Sequence, residues 1–411
     1  MKKKFKILTL GCKANQYESQ AYIDQLKTLG LAQAQVGEIA DICIVNACAV
    51  TKNADKKSLH AIKSLKKQNT KARFFITGCI GSDIADDISA NVKIIPNTQK
   101  HLLVNQIFPN RKIPKFLIKN FDNHTRAFIK VQDGCNSFCT FCIIPLKRGR
   151  SRSREVDDII FEISGLVDNG YKEIVLTGIN LGDYSSDISF AQLLKKIDQI
   201  KDLKRIKLSS INPEHITDEV IDILTSSDKM SRYLHISLQS GSDRILKKMN
   251  RAYDSNLFLQ KIDKLTKKDP HFTFMTDVIV GFPSETDEDF EDTIKVVKKA
   301  QFTKVHVFPY SARPDTGASK FKEEVDKKII DERKNRLSEI AKKIGFGRRE
   351  KFIKREMKVL FENIKDDYFI GSTLNNLLVY VPKSEDIKSN EILDVKFVKN
   401  MDDYILGELC R

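Results

Sequence analysis

The chain has 411 residues, a formal net charge of +15 and 41% hydrophobic residues, enough to bury several cores and basic enough to meet a polyanion such as nucleic acid. No apolar run reaches membrane-spanning length, and the basic, briefly apolar N-terminus reads as a first strand and not as a secretion signal. Eight cysteines without a secretion signal point to a reducing cytoplasm and to metal or catalytic use, and argue against a disulfide framework.

Residues 1–107 alternate strands and helices. Strands are expected at 5–10, 42–46, 73–77 and 92–95, with helices near 16–29, 53–68 and 98–107. That order predicts an open α/β domain with a mostly parallel sheet. Cys12, Cys48 and Cys79 each follow one of the first three strands. Loops at the carboxyl ends of parallel strands line the ligand crevice. Three such loops, each presenting one thiol, predict a site with three thiolates. Cys43 lies inside a strand and reads as core, since cysteine also serves as a small buried hydrophobe. Cys410 has no assigned role.

Residues 106–125 read as a connector with two prolines. A longer alternation follows. Strands are expected at 126–132, 173–177, 205–209, 233–238, 272–280 and 304–309. Helices are expected near 155–169, 189–199, 217–225, 243–248, 254–268 and 286–299, the last with Thr286 and Asp289 as a capping pair. Six βα units predict a partial (β/α)6 barrel over 122–350. Residues 319–355 read as one long basic helix with a solvated face. Short β-type runs over 351–411 predict a small antiparallel β-barrel. The fold class is therefore α/β, in three parts: 1–107, 122–350 and 351–411.

The loop after the first barrel strand carries the most specific motif, Cys135, Cys139 and Cys142 in a C-x3-C-x2-C run. A structural zinc site wants four ligands, and no fourth Cys or His lies close on the C-terminal side; upstream only His124 is near. Three thiolates suit a cubic iron–sulfur cluster whose fourth iron is left open. After the triplet comes an arginine run, Arg148, Arg150, Arg152 and Arg154, of a kind suited to phosphates. Gly178 and Asn180 follow the second barrel strand, and Gln239 and Ser240 the fourth. All four are candidate cofactor contacts, with turn glycines and strand-end polar groups as the plain alternative. Tyr310 and Arg313 are candidate substrate contacts or structural groups. The isolated histidines, His235 and His306 among them, read as core or rim groups.

The triplet with Phe141 before its last cysteine, the segment Thr9-Leu-Gly-Cys-Lys-Ala-Asn-Gln-Tyr-Glu-Ser19, and Leu238-Gln-Ser-Gly-Ser-Asp243 together resemble the radical SAM methylthiotransferase family over nearly the whole chain. Within it they are similar to the MtaB branch. The isopentenyladenosine branch tends to show Tyr-Gly-Cys-Gln-Met-Asn at the first cysteine, and the ribosomal-protein branch Leu-Gly-Cys-Pro-Lys-Asn. Ala47-Cys-Ala49, where threonines are common, and Leu146-Lys147, where an aromatic is frequent, depart from the family pattern without removing a ligand.

The resemblance implies a radical SAM core and a C-terminal TRAM-like barrel. It implies two 4Fe–4S clusters, one on Cys135, Cys139 and Cys142 with S-adenosylmethionine, and an auxiliary one on Cys12, Cys48 and Cys79. The implied activity is addition of a methylthio group to C2 of N6-threonylcarbamoyladenosine beside the tRNA anticodon. No acid–base side chain is required, because such groups give only about 10²–10⁴-fold and the cofactor carries the hard step. The implied partners are the tRNA anticodon stem-loop and an external electron donor. Two alternatives stay open: an isopentenyladenosine tRNA or ribosomal-protein substrate, or a non-catalytic RNA-binding iron–sulfur sensor.

Overall fold

The computed structural model describes residues 2–80, 92–122 and 124–410. Its first sheet is parallel throughout, in the order β2-β1-β3-β4-β5. The strands are β1 (Lys4–Thr9), β2 (Ala32–Gln33), β3 (Ile42–Ala47), β4 (Arg73–Gly78) and β5 (Val92–Ile94). The continuous apolar run of β3, buried at every residue, is what a central parallel strand covered on both faces requires. Helices α1 (Lys13–Thr28) and α2 (Lys52–Gln68) follow β1 and β3, and α3 (Leu103–Ile107) closes the unit. Cys43 is buried among Val45, Ile62, Phe74 and Ile76, the core position expected of it.

The central unit has two three-stranded parallel sheets joined by single bridges at Ile206–Met230 and Ile211–Ile236. Its strands run β6 (Arg126–Lys130), β9 (Glu173–Thr177) and β10 (Arg205–Leu208), then β11 (Tyr233–His235), β12 (Thr273–Val280) and β13 (Lys304–Pro309). Between β6 and β9 lie the short pair β7 (Gln132–Asp133) and β8 (Arg152–Ser153), with α4 (Ile144–Arg148) inside the loop and α5 (Val156–Asp168) after it. The helices α6 (Phe190–Asp198), α7 (Asp218–Ser226), α8 (Asp243–Lys248), α9 (Ser255–Lys268) and α10 (Asp287–Ala300) complete the crossovers. Outward residues such as Ile174, Leu176, Ile206 and Leu208 are buried in one apolar core. The sheet curves but does not close, and α1 packs along its first edge, where Tyr17 donates to Glu162 Oε1 at 2.9 Å.

The basic segment departs from expectation. Only Lys327–Glu350 is the long helix, α11, started by an Asp326 cap on Lys328 N. Upstream, Gly317–Lys320 form a 3-10 turn, and Ala318 N donates to Thr140 O at 2.7 Å, bracing the cysteine loop. Nor is α11 purely solvated, since Arg333, Leu337, Ala341, Gly345 and Arg349 form a buried stripe.

The last five strands, β14 (Glu356–Lys365), β15 (Tyr368–Thr373), β16 (Leu378–Pro382), β17 (Ile392–Asn400) and β18 (Ile405–Leu409), close a small barrel. It sits under the amino ends of the larger barrel's strands. Arg205 donates to Ser372 O (2.7 Å) and Lys358 O (2.8 Å), and Thr273 to Asn375 O (2.5 Å). The opposite end, where the cysteine loops lie, is left open.

Candidate active site

Cys12 caps α1, Cys48 follows β3 and Cys79 follows β4, so three carboxyl-end loops meet at one corner of the first sheet. Asn15 ties two of them together, its Nδ2 donating to Leu10 O at 2.6 Å and Ala47 O at 3.0 Å. Gly11 has φ +99°, and a Cβ there would lie 2.9 Å from Cys48 Sγ, so only glycine lets the first loop close on the second. The Cys12 sulfur acts electrostatically on Cys48, and both act on Cys79. Burial pushes the Cys48 and Cys79 thiols up, and Arg148, whose Nε donates to Cys79 Sγ at 3.3 Å, pulls Cys79 the other way.

The second triad lies on the loop after β6. Gly134 turns it with φ +74°, where a Cβ would stand 2.0 Å from Arg150 O. Cys135 N donates to Gly149 O (3.1 Å), Thr140 N to Met249 O (3.0 Å), and Asn250 Nδ2 to Ser137 O (3.1 Å) and Phe138 O (3.2 Å). Burial raises the Cys139 thiol and pushes Cys142 up to about 12. Arg251 opposes this at Cys139, donating to its Sγ at 3.0 Å while bound to Asn212 Oδ1 at 2.7 Å. Each triad thus has one buried-side arginine on one sulfur. Nothing in the sequence marks Arg251 for this role, because it stands more than a hundred residues from Cys139.

All eight cysteines are free, so no disulfide competes with ligation. Among the described residues no group of three His, Cys, Asp or Glu side chains is arranged to hold a single metal ion. His124 packs against Phe121 with the rings tilted and their centroids 5.1 Å apart.

The arginine run divides in two. Arg148 is fully buried and makes ion pairs with Glu18 (3.0 Å) and Asp133 (2.8 Å) besides its bond to Cys79 and one to Asn15. Lys130 and Lys100 complete the cluster, at 2.8 Å and 2.6 Å from Glu18. Burial alone would raise the Glu18 carboxyl, but Arg148, Lys100 and Lys130 outweigh it and hold Glu18 well below the usual carboxylate range. Arg154 donates to Glu162 Oε2 (2.7 Å), Tyr17 OH (2.9 Å) and Lys130 O (2.9 Å). These two arginines bind protein and not RNA, a correction to the phosphate reading, because their charges are already matched by buried carboxylates. Arg150 and Arg152 are exposed, and the Arg150 guanidinium lies 4.3 Å from the Phe138 ring centroid.

Beside the second triad lies a cavity of about 290 Å³, lined by Cys142 but by none of Cys12, Cys48 and Cys79. Val50 and Thr51, just past Cys48, form one wall; Phe141, Cys142 and Ile143 form another; Gln239, Asp277, Phe308 and Tyr310 come from the barrel. The Tyr310 hydroxyl is buried without a hydrogen-bond partner among the described residues, the state expected of a group that meets a ligand. Arg313 instead ion-pairs with Asp55 across the domain seam. Gln239 reaches this cavity, whereas Ser240 is buried behind it and bonds Ser242 N (3.2 Å) and Thr293 (3.4 Å), which takes it out of the cofactor set. Asn180 lies beside the cysteine loop, 3.3 Å from Ser137 Oγ. Gly178 packs on Gln132, where a Cβ would come within 2.8 Å of Oε1. The two strand histidines are not isolated: their rings stack at 6.0 Å, and His235 Nε2 is 3.1 Å from Asp277 Oδ2.

Two family models match, the Radical SAM superfamily over residues 129–297 and Uncharacterized protein family UPF0004 over residues 4–96. A threonylcarbamoyladenosine tRNA methylthiotransferase MtaB of Chlamydia pneumoniae is 42% identical, with 98% of each chain covered. Its counterpart from Bacillus subtilis is 37% identical over 98% of this chain and 95% of its own. A tRNA-2-methylthio-N(6)-dimethylallyladenosine synthase of Clostridium botulinum is 34% identical, covering 98% and 96%. Among solved structures, the radical S-adenosylmethionine methyltransferase TsrM of Kitasatospora setae shares the fold at TM-score 0.54 and 12% identity, covering 77% of each chain. With these relatives and this site, the chain belongs to the radical SAM methylthiotransferase family, on its MtaB branch.

Proposed function

We propose that the protein adds a methylthio group to C2 of N6-threonylcarbamoyladenosine in the anticodon stem-loop of tRNA. The observation that carries this is the pair of three-thiol loop sets, one at the carboxyl end of the first sheet and one after β6, joined by Arg148 of the second loop donating to Cys79 Sγ at 3.3 Å. Cys12, Cys48 and Cys79 hold one 4Fe–4S cluster and Cys135, Cys139 and Cys142 the other, each triad leaving one iron without a protein ligand. When bound, the clusters and S-adenosylmethionine supply one-electron and sulfur chemistry that no side chain provides. Gln239 and Asn180 are placed to meet the cofactor, and Gly178 lets its loop pack close beside them.

The chain's own residues do the rest. Arg148 and Arg251 each donate to one sulfur, which favours thiolate over thiol. Phe141, Ile279 and Phe308 wall the cavity and exclude water, and Tyr310 offers it a free hydroxyl. Val50 and Phe308, which line this cavity, and Phe138 and Leu146, near the second triad in the sequence, are exposed. Such apolar and aromatic groups suit an unpaired base splayed from a loop. Arg150 and Arg152 stand ready for its phosphates, and electrons come from an external donor. Residues 1–107 then carry the auxiliary cluster, 122–350 the cofactor chemistry, and 351–411 a TRAM-like RNA contact. The dimethylallyladenosine relatives keep the isopentenyl substrate as the rival, though the threonylcarbamoyladenosine relatives are more similar.

Iron analysis of anaerobically reconstituted protein tests the cluster assignment. The full chain should hold about eight irons, and a C12A/C48A/C79A variant about four, with S-adenosylmethionine cleavage kept and methylthiolation lost. A triple variant that still holds about eight irons would refute it.

A further inference from the structure

The inside of the half barrel holds more positive charge than its own carboxylates neutralise. Arg126, Glu173 and Arg205 share one level on the inward faces of β6, β9 and β10, and Phe128, Val175 and Lys207 the next. Lys207 Nζ is 3.2 Å from Glu173 and donates to Ser372 Oγ at 3.1 Å, and Arg126 pairs with Glu362 at 3.2 Å. Arg205 spends its donors on two carbonyls of the small barrel. Glu362 is thus paired with Arg126, and Glu173 lies within ion-pair distance of Lys207, though neither of its oxygens has a hydrogen-bond partner among the described residues.

One more cation enters from the other domain. Lys13, next to Cys12 at the start of α1, lays its ammonium 5.8 Å from the Phe128 ring centroid, within the fields of Arg126, Lys207 and Glu173. No described residue gives this ammonium a hydrogen bond or an ion pair, and it keeps contact with solvent. The ring returns only part of what a cation loses among like charges. Four cationic side chains thus stand about two carboxylates on the inward side of the half barrel, one of them, Lys13, next to Cys12.

We propose that Lys13 reads the substituent on N6 of the target adenosine, its ammonium receiving the carboxylate of an amino-acid group carried there, with Lys207 adding positive charge behind it. The inference rests on the substrate reading above and names the residue that enforces it. A neutral hydrocarbon on N6 would leave the ammonium desolvated and unpaired, so the same residue selects against it.

The test is equilibrium binding of anticodon stem-loops to cluster-loaded protein with S-adenosylmethionine, by fluorescence anisotropy. Three loops differ only at the target base: threonylcarbamoyladenosine, its primary amide, and unmodified adenosine. The wild-type protein should prefer the acid over the amide by roughly tenfold or more, as a charge-assisted hydrogen bond gives. K13Q should bind acid and amide alike, and K13R should keep most of the preference. A K13Q protein that still prefers the acid overturns the assignment and leaves the substrate reading standing. A K13Q protein weakened equally on all three loops also overturns it, placing Lys13 on the RNA backbone. Should K13Q fail to load its clusters, equal wild-type affinity for acid and amide overturns the assignment by itself. Wild-type protein that neither prefers nor methylthiolates the threonylcarbamoyl loop overturns the substrate reading instead.

Discussion

A guanidinium at position 148 without solvent contact changes the meaning of the arginine run that follows the cysteine motif. Spacing alone made four equal arginines. Burial separates them into two that fasten the domains and two that are exposed. Removing one partner from a buried ion cluster leaves uncompensated charge, which costs about 3–5 kcal/mol. R148Q should therefore lose about that much stability in denaturant unfolding, and R150Q should stay within about 0.5 kcal/mol of wild type. Equal effects of the two would contradict the division. On RNA the order reverses. R150Q/R152Q should flatten the salt dependence of binding by a slope of about 0.7 for each lost single-strand phosphate contact; an unchanged slope would take both arginines off the RNA.

Elements were the most legible scale, because each announces itself locally. The β-branched run of Ile42–Ala47 made a buried strand, and a cysteine after each of three such strands placed three thiols on one rim. The cap of α10 was legible too. Asp289 accepts from Thr286 N (2.8 Å), Thr286 OH (3.0 Å) and Ser242 OH (2.5 Å), and it pairs with Arg244. Burial alone would raise this carboxyl, but Arg244 and the other donors hold it well below the usual carboxylate range. A carboxyl lowered in the folded state contributes stability above its unfolded pKa, about 3.9, and loses it as the pH falls toward the folded value. D289N should thus cost roughly 1–3 kcal/mol at neutral pH, and the gap to wild type should narrow below about pH 4. A gap of constant size down to that acidity would contradict the capping account. What stayed hidden was long-range. Glu18, Lys100, Asp133 and Arg148 meet only after folding, and no local pattern shows that a charge will be buried. The 3-10 turn at Gly317–Lys320 was read as helix because a charge-rich pattern does not reveal that Ala318 is held by Thr140.

At the scale of the whole molecule, the small barrel closes the amino end of the larger one and the first sheet covers its open side. The substrate's way in is then the end where both triads lie. A net charge of +15 favours a polyanionic partner such as tRNA. The parallel sheet, the α/β core and the terminal barrel were legible in the sequence; how they pack on one another was not, because it depends on side chains from separate units.

Two iron cubes serving one nucleobase is the claim on which the rest stands. Its most direct check is nucleoside mass spectrometry of a threonylcarbamoyladenosine stem-loop after anaerobic incubation with the reconstituted protein, S-adenosylmethionine and a reductant. The expected product is that nucleoside with one methylthio group on C2. An unmodified base despite cofactor cleavage, or methylthiolation confined to an isopentenyladenosine loop, would contradict the account.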